Sequence, residues 1–147
     1  MSETGYTKPD LTLVGDEHKR RYQETGGEVG YFWNGVPSLL LTTIGRKSGK
    51  SHTSPLIFGR DGADYLVVAS QGGAPKHPMW YLNILSNSQA EIQVRNEHLK
   101  VAARPATDDE KPRLWKVMTD LWPNYDVYQT RTDRVIPVVV LTPSSRS

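Results

Sequence analysis

Arg46, Lys47 and Lys50 fall within five residues of one another in the stretch Leu39 to Pro55, which reads Leu-Leu-Leu-Thr-Thr-Ile-Gly-Arg-Lys-Ser-Gly-Lys-Ser-His-Thr-Ser-Pro. Interleaved with the small donors Ser48, Ser51, Thr53 and Ser54, these cations can hold an anion by charge and hydrogen bonds together. The same composition also describes a solvated hairpin tip, so the local pattern leaves both readings open. Gly-Lys-Ser at 49–51 suggests a phosphate loop. However, Gly45 and Gly49 enclose three residues where that motif needs four, and the segment after Lys50 reads as strand instead of helix. There is no Gly-x-Ser-x-Gly elbow and no Gly-x-Gly-x-x-Gly opening a helix. His18, His52, His77 and His98 never form a ligand pair, and with no cysteine there is neither a thiolate site nor a thiol nucleophile. No metal centre is expected. The carboxylates are dispersed without an acid/base pair, so an enzyme built on this chain needs a cofactor to supply the reactive atom.

The elements that must position these residues follow from hydrophobic pattern and turn chemistry. Residues 1–15 are polar and predict a loose arm. Asp16 to Glu24 favours a short basic helix stopped by Gly26-Gly27. Tyr31, Phe32 and Trp33 then cluster ahead of Pro37 as cover for a sheet end or the lip of a pocket. Leu39 to Ile44 and the extended run to Phe58 predict a hairpin with the cations at its tip. Asp61-Gly62 predicts a turn into a third strand, Tyr65 to Ser70, giving a three-stranded meander. After the loop Gln71 to Lys76, Pro78 opens a short helix through Leu85. Ala90–Val94 and Leu99–Arg104 predict a strand pair around Asn96-Glu97. Thr107 to Glu110 has the capping-box pattern, and Leu114, Val117, Met118, Leu121 and Trp122 share one face of the helix that follows, ended by Pro123. Asn124 to Arg134 is a polar connection, and Val135 to Leu141 a closing strand with Pro137 at an edge or bulge. The expected fold is mainly β (α+β): a six-stranded antiparallel barrel with covering helices, occupying 16–147 as one domain.

At 147 residues the chain can bury one real core. Its net charge of +2 is too weak to demand nucleic acid, and no apolar run is long enough to cross a bilayer. Cysteine-free composition fits a reducing cytoplasm.

Several blocks occur in order: Leu-Thr-Thr-Ile-Gly-Arg-Lys-Ser-Gly; Ser54-Pro55-Leu56; Ala69-Ser70 with Gly72-Gly73; Pro78-Met79-Trp80-Tyr81-Leu82-Asn83; Tyr125, Tyr128 and Thr132-Asp133-Arg134; then Ile136-Pro137-Val138-Val139. Together, across residues 30 to 142, they resemble the deazaflavin-dependent nitroreductase family, split-β-barrel proteins that use reduced coenzyme F420. The resemblance implies a hydride transfer from the reduced deazaflavin to an electron-poor acceptor: a quinone, an activated alkene or a nitroaromatic. It implies Arg46 and Lys47 as ligands of the cofactor's phosphate and polyglutamate tail, with Lys50 as a looser contributor. Ser48, the run His52, Thr53, Ser54, Pro55, Leu56 and Ile57, and the run Val68, Ala69, Ser70 and Gln71 would line the cofactor groove. Met79, Trp80, Tyr81, Leu82 and Asn83 would close its other side. Tyr125 is the first candidate for a proton or hydrogen-bond donor and Ser70 the second, while Trp80, Trp122, Tyr125 and Tyr128 would wall the acceptor pocket. Core packing is the competing reading of Met79, Trp80 and Trp122.

The chain departs from the family's usual pattern at Gln71, often lysine, at His52, often arginine, and at Ile57 and Trp122, often tyrosine. The resemblance therefore implies weaker tail binding and an altered acceptor range, with prodrug nitroreduction in doubt. A monomer is expected ahead of a dimer. Cytoplasmic residence is expected, with contact at membrane quinones open but not indicated, because the arm lacks an anchor's hydrophobicity. Two alternatives stand beside this reading: a small-barrel module binding single-stranded nucleic acid, and a split-barrel reductase that uses flavin mononucleotide.

Overall fold

A computed structural model of the chain describes residues 5–145. The strand that bears the hairpin is β2 (Val36–Ile44), in which Leu39, Leu40 and Leu41 are all buried. A strand covered on both faces tolerates such an unbroken apolar run. Two strands flank it, both antiparallel: β3 (Ser51–Ile57), in register from Ile44↔Ser51 to Ser38↔Ile57, and β6 (Gln89–Val94). The expected hairpin is present, with its cations at the tip.

The three-stranded meander is not formed. After β3 the buried Phe58 leads into a separate hairpin of β4 (Gly59–Asp61) and β5 (Asp64–Val68), and the second edge of β5 pairs with β8 (Val138–Ser145), not with β3. With β7 (Glu97–Pro105) between β6 and β8, the order is β3-β2-β6-β7-β8-β5-β4, and the short β1 (Phe32–Trp33) also pairs with β2. There are thus eight strands where six were expected among the described residues. The two extra, β1 and β4, are too short to show a period in sequence. Among the described residues β3 pairs with β2 alone. The curled antiparallel sheet therefore stays open along β3, which makes it a split barrel.

Strand alternation divides the apolar residues between two cores. Tyr65, Val67, Val139 and Leu141 point inward with Leu39, Leu41, Ile92 and Val101, capped by Trp80, Tyr81 and Ile84 of α2 (Met79–Ser86). Leu66, Val68, Val138 and Val140 point the other way, against Leu114 and Met118 of α3 (Lys111–Leu121) and Tyr125 of α4 (Asn124–Thr130), with Trp122 between the two helices. The expected box closes the turn just ahead of α3: Thr107 N–H donates to Glu110 Oε1 (2.8 Å) and Glu110 N–H to Thr107 Oγ1 (3.4 Å). Two expectations shift here. The polar connection 124–134 contains α4, whose seven residues are too few to show helical period. The last strand starts at Val138, since Val135 is 69% exposed and Pro137 lacks the N–H a ladder needs.

A further helix, numbered α1 by its place in the chain (Gly15–Thr25), ends at Gly26 in the left-handed conformation (φ 62°), as the Gly-Gly pair predicts. Its buried Tyr22 anchors it: the hydroxyl donates toward Ser38 O (3.0 Å) and Gln93 O (3.2 Å) and accepts from Arg95 N–H (2.8 Å). The expected arm at residues 1–15 falls partly outside the described residues. From Gly5 onward it runs beside α4, where Asn124 exchanges hydrogen bonds with the backbone of Thr7 (2.9 and 2.7 Å). No helix among the described residues is long and apolar enough to cross a membrane.

Candidate functional site

The open edge of β3 borders two clefts, and the hairpin tip shapes the first. Gly45 N–H donates to Lys50 O (2.8 Å) and Gly49 N–H to Gly45 O (2.9 Å), closing a turn in which Gly49 takes φ 72°. A side chain at Gly45 would collide with Ser48 Oγ and His52 Nε2, at 2.7 and 2.9 Å. Gly49 is therefore a turn former by conformation, and Gly45 leaves room for the Ser48 and His52 side chains to pack over it. Asn83, buried on α2, fixes the tip to the helix: its Oδ1 accepts from Arg46 N–H (3.2 Å) and Arg46 Nη1 (3.4 Å), and its Nδ2 donates to Thr43 Oγ1 (3.2 Å). The resulting cleft of 610 Å³ is lined by Arg46, Lys47, Ser48, His52, Thr53, Ser54, Met79, Trp80 and Asn83, and across from them by Asp16, Lys19 and Gln23 of α1. Lys50 does not line it.

The second cleft, of 390 Å³, is aromatic. Ser54, Pro55, Leu56 and Ile57 of β3 form one wall. Val68, Ser70, Gln71 and Gly72 at the end of β5 form the facing wall, and Trp80, Trp122, Tyr125 and Tyr128 complete it. Ser54 and Trp80 line both clefts, so a cationic and an aromatic cleft adjoin at these two residues.

Tyr125 is buried and stacks edge-on with Tyr128 at 6.0 Å. Burial, and then the neighbouring Tyr128, raises its phenol above the ordinary tyrosine range, so it stays protonated at neutral pH. The hydroxyls of Tyr125 and Ser70 have no protein partner among the described residues, yet neither is sealed from solvent. Such groups are free to donate to a ligand. Trp122 belongs both to the core and to the cleft wall, donating weakly to Tyr128 Oη (3.4 Å). Trp80 has the same double position, whereas Met79 is 63% exposed.

Besides Lys50, three candidates lie outside both clefts. Ala69 and Tyr81 are buried in the inner core and Leu82 packs against it. The backbone of Ala69 is also engaged, its N–H with Pro137 O (3.0 Å) and its carbonyl with Arg134 (3.1 Å). The sequence reading missed the contribution of α1. Val14, Gly15 and His18 line the aromatic cleft together with Trp33 and Ser38. His18 is buried, and its Nε2 makes a 2.8 Å hydrogen bond with Gly30 O. A lone histidine on a basic helix gives no local sign that it faces a cleft built by strands 20 to 50 residues away.

The family described as F420H(2)-dependent quinone reductase matches residues 15–143. An F420H(2)-dependent quinone reductase of Mycobacterium tuberculosis is 43% identical over 129 residues, covering 85% of this chain and 87% of that protein. A solved structure described as F420-H2 dependent reductase (FDR-A) is similar at TM-score 0.66 and 40% identity, covering 71% of this chain and 93% of that one. A second, described as a domain-swapped dimer, is similar at TM-score 0.69 and 38% identity, covering 85% and 94%.

Proposed function

The chain belongs to the F420H(2)-dependent quinone reductase family, and on that premise we propose which parts of the groove hold the cofactor and which hold the acceptor. The protein is an oxidoreductase whose cofactor is reduced coenzyme F420 and whose acceptor class is the quinones. The family match favours neither the nucleic-acid reading nor the flavin mononucleotide reading. We take residues 16–147 as one reductase domain preceded by the arm at 1–15.

One observation carries the assignment: the cationic and aromatic clefts lie side by side along β3 and meet at Ser54 and Trp80. That is the complement of a flat ring system bearing a polyanionic tail. Arg46 and Lys47 would hold the phosphate and tail oxygens, each contact contributing on the order of 1 kcal/mol where it is partly exposed. The free backbone edge of β3 would meet the polar rim of the ring. When bound, the reduced cofactor supplies a hydride from its ring carbon. Trp122, Tyr128 and Trp80 would wall the acceptor and exclude water, and the free hydroxyls of Tyr125 and Ser70 would donate to the acceptor oxygen on which negative charge develops.

Titrating oxidised F420 with the protein should change the cofactor's fluorescence saturably, and menadione (2-methyl-1,4-naphthoquinone) should drive consumption of F420H2. The absence of saturable binding at high protein concentration would overturn the assignment. With Ile57 and Trp122 on the cleft wall, nitroaromatics should turn over more slowly than menadione. The domain-swapped neighbour weighs against the monomer expected from sequence, and light scattering, reading one chain mass or two, decides between them. We infer cytoplasmic residence with at most peripheral membrane contact, to be tested by cosedimentation with anionic vesicles.

A further inference from the structure

Thr132-Asp133-Arg134 is one of the ordered blocks in the sequence, and its residues line neither cleft. Arg134 lies between α4 and β8, and its guanidinium donates to four acceptors in one stretch of chain. Nε reaches Ala74 O (2.8 Å), Nη2 reaches Ser70 O (2.7 Å), and Nη1 reaches both Ala69 O (3.1 Å) and His77 Nδ1 (3.0 Å). The loop it grips is the wall of the aromatic cleft that carries Ser70, Gln71 and Gly72. That wall is strained: Gln71 takes φ 45°, followed by Gly72 at 64° and Gly73 at 85°. A left-handed residue with a side chain is sterically disfavoured and persists only where its surroundings enforce it. From the other side Arg131 Nη1 donates to Gly72 O (3.1 Å), and a Cβ at Gly73 would lie 2.6 Å from Tyr128 O.

We propose that Arg134 is the positioning residue of the acceptor cleft, holding the Ser70–Ala74 wall so that the free Ser70 hydroxyl faces the acceptor, and that it does so fully only while His77 is neutral. The identity of the acceptor rests on the quinone-reductase reading, but the clamp itself does not. A planar fork of five N–H donors can meet three converging carbonyls and a ring nitrogen, which a lysine cannot do. Neutral His77 offers Nδ1 as an acceptor to Arg134. Protonation turns that atom into a donor and sets a second cation against the guanidinium, so the bond is lost. Arg134 is the charge that bears on His77, the Tyr81 ring packs 4.8 Å away, and Lys76 precedes it in the chain. Burial, and then Arg134, holds His77 below the ordinary histidine value. The contact is therefore complete above that ordinary value and is lost as pH falls through the lower folded one.

The test compares wild type with Arg134→Ala, Arg134→Lys and His77→Asn. The last keeps a neutral acceptor in place and cannot be protonated. Hydrogen-exchange protection factors for amides 71–74 are measured on the protein alone, together with kcat and KM for menadione with F420H2 between pH 5 and pH 7.5. Both Arg134 variants should lose about tenfold in loop protection and in kcat/KM, while the Kd for F420 changes less than kcat/KM because the tail contacts of Arg46 and Lys47 are untouched. Wild type should lose protection and kcat/KM together toward pH 5, and His77→Asn should stay flat. Wild-type protection in Arg134→Ala, or a parallel acid loss in His77→Asn, would overturn the proposal. A wild type that neither binds F420 nor oxidises F420H2 would instead sink the functional reading, and the protection factors would still decide the clamp.

Discussion

At the scale of single residues, the groove divides its work between charge and hydroxyl. Arg46 and Lys47 are exposed at the hairpin tip, so each contact with a tail oxygen is partly screened. Replacing either by Ala should weaken F420 binding roughly fivefold, and replacing both by more, measured by fluorescence titration. Unchanged affinity would remove them from the tail site. Tyr125 has a different role, because its phenol is held protonated by burial and has no hydrogen-bond partner among the described residues. Tyr125→Phe should lower kcat for menadione by tenfold to about a hundredfold with the Kd for F420 within twofold, as expected of a lost donor at a developing oxyanion. These residue types could be read from the sequence. The partner-free state of Tyr125 and the engagement of the Ala69 backbone could not, since both depend on neighbours distant in the chain.

At the scale of elements, α1 is the helix whose role the sequence hid. It lines both clefts, with His18 in one and Asp16, Lys19 and Gln23 in the other, and Tyr22 ties it to β2, β6 and the turn after β6 through three hydrogen bonds. Tyr22→Phe leaves the Arg95 N–H without its acceptor and should cost about 1–3 kcal/mol of stability in denaturant titration. It should also raise KM for the acceptor as the helix loosens. Burial raises the Tyr22 phenol to about 12. The folded state thus favours the neutral phenol, and this contribution is full below the ordinary value near 10 and is lost as pH rises toward 12. Wild type should lose stability across that window, and Tyr22→Phe should lack that part of the loss. The amphipathic α3 and the capping box were legible because eleven residues give three turns of period. β1, β4 and α4 were not, being shorter than the windows in which a period can be counted.

At the scale of the whole molecule, a net charge of +2 conceals two adjoining clefts, one cationic and the other aromatic. Raising salt from 50 to 500 mM should therefore raise the Kd for F420 several-fold while leaving KM for menadione nearly unchanged, because only the exposed charges are screened. Equal sensitivity of both constants would mean that the two halves are not divided as proposed. The sequence by itself determined the β2–β3 hairpin with its glycine turn, the covering helix α3, the barrel class and the blocks that mark the family, because these depend on local conformation and on residue order. Only the tertiary structure decided that β5 leaves the hairpin to join β8, so that β3 keeps a free edge and the two clefts open beside it. Strand partnership is set by which faces can be buried together. The alternation of Leu66 and Val68 with Tyr65 and Val67 serves two cores at once, and no local pattern tells the chain's reader which strand lies across the gap.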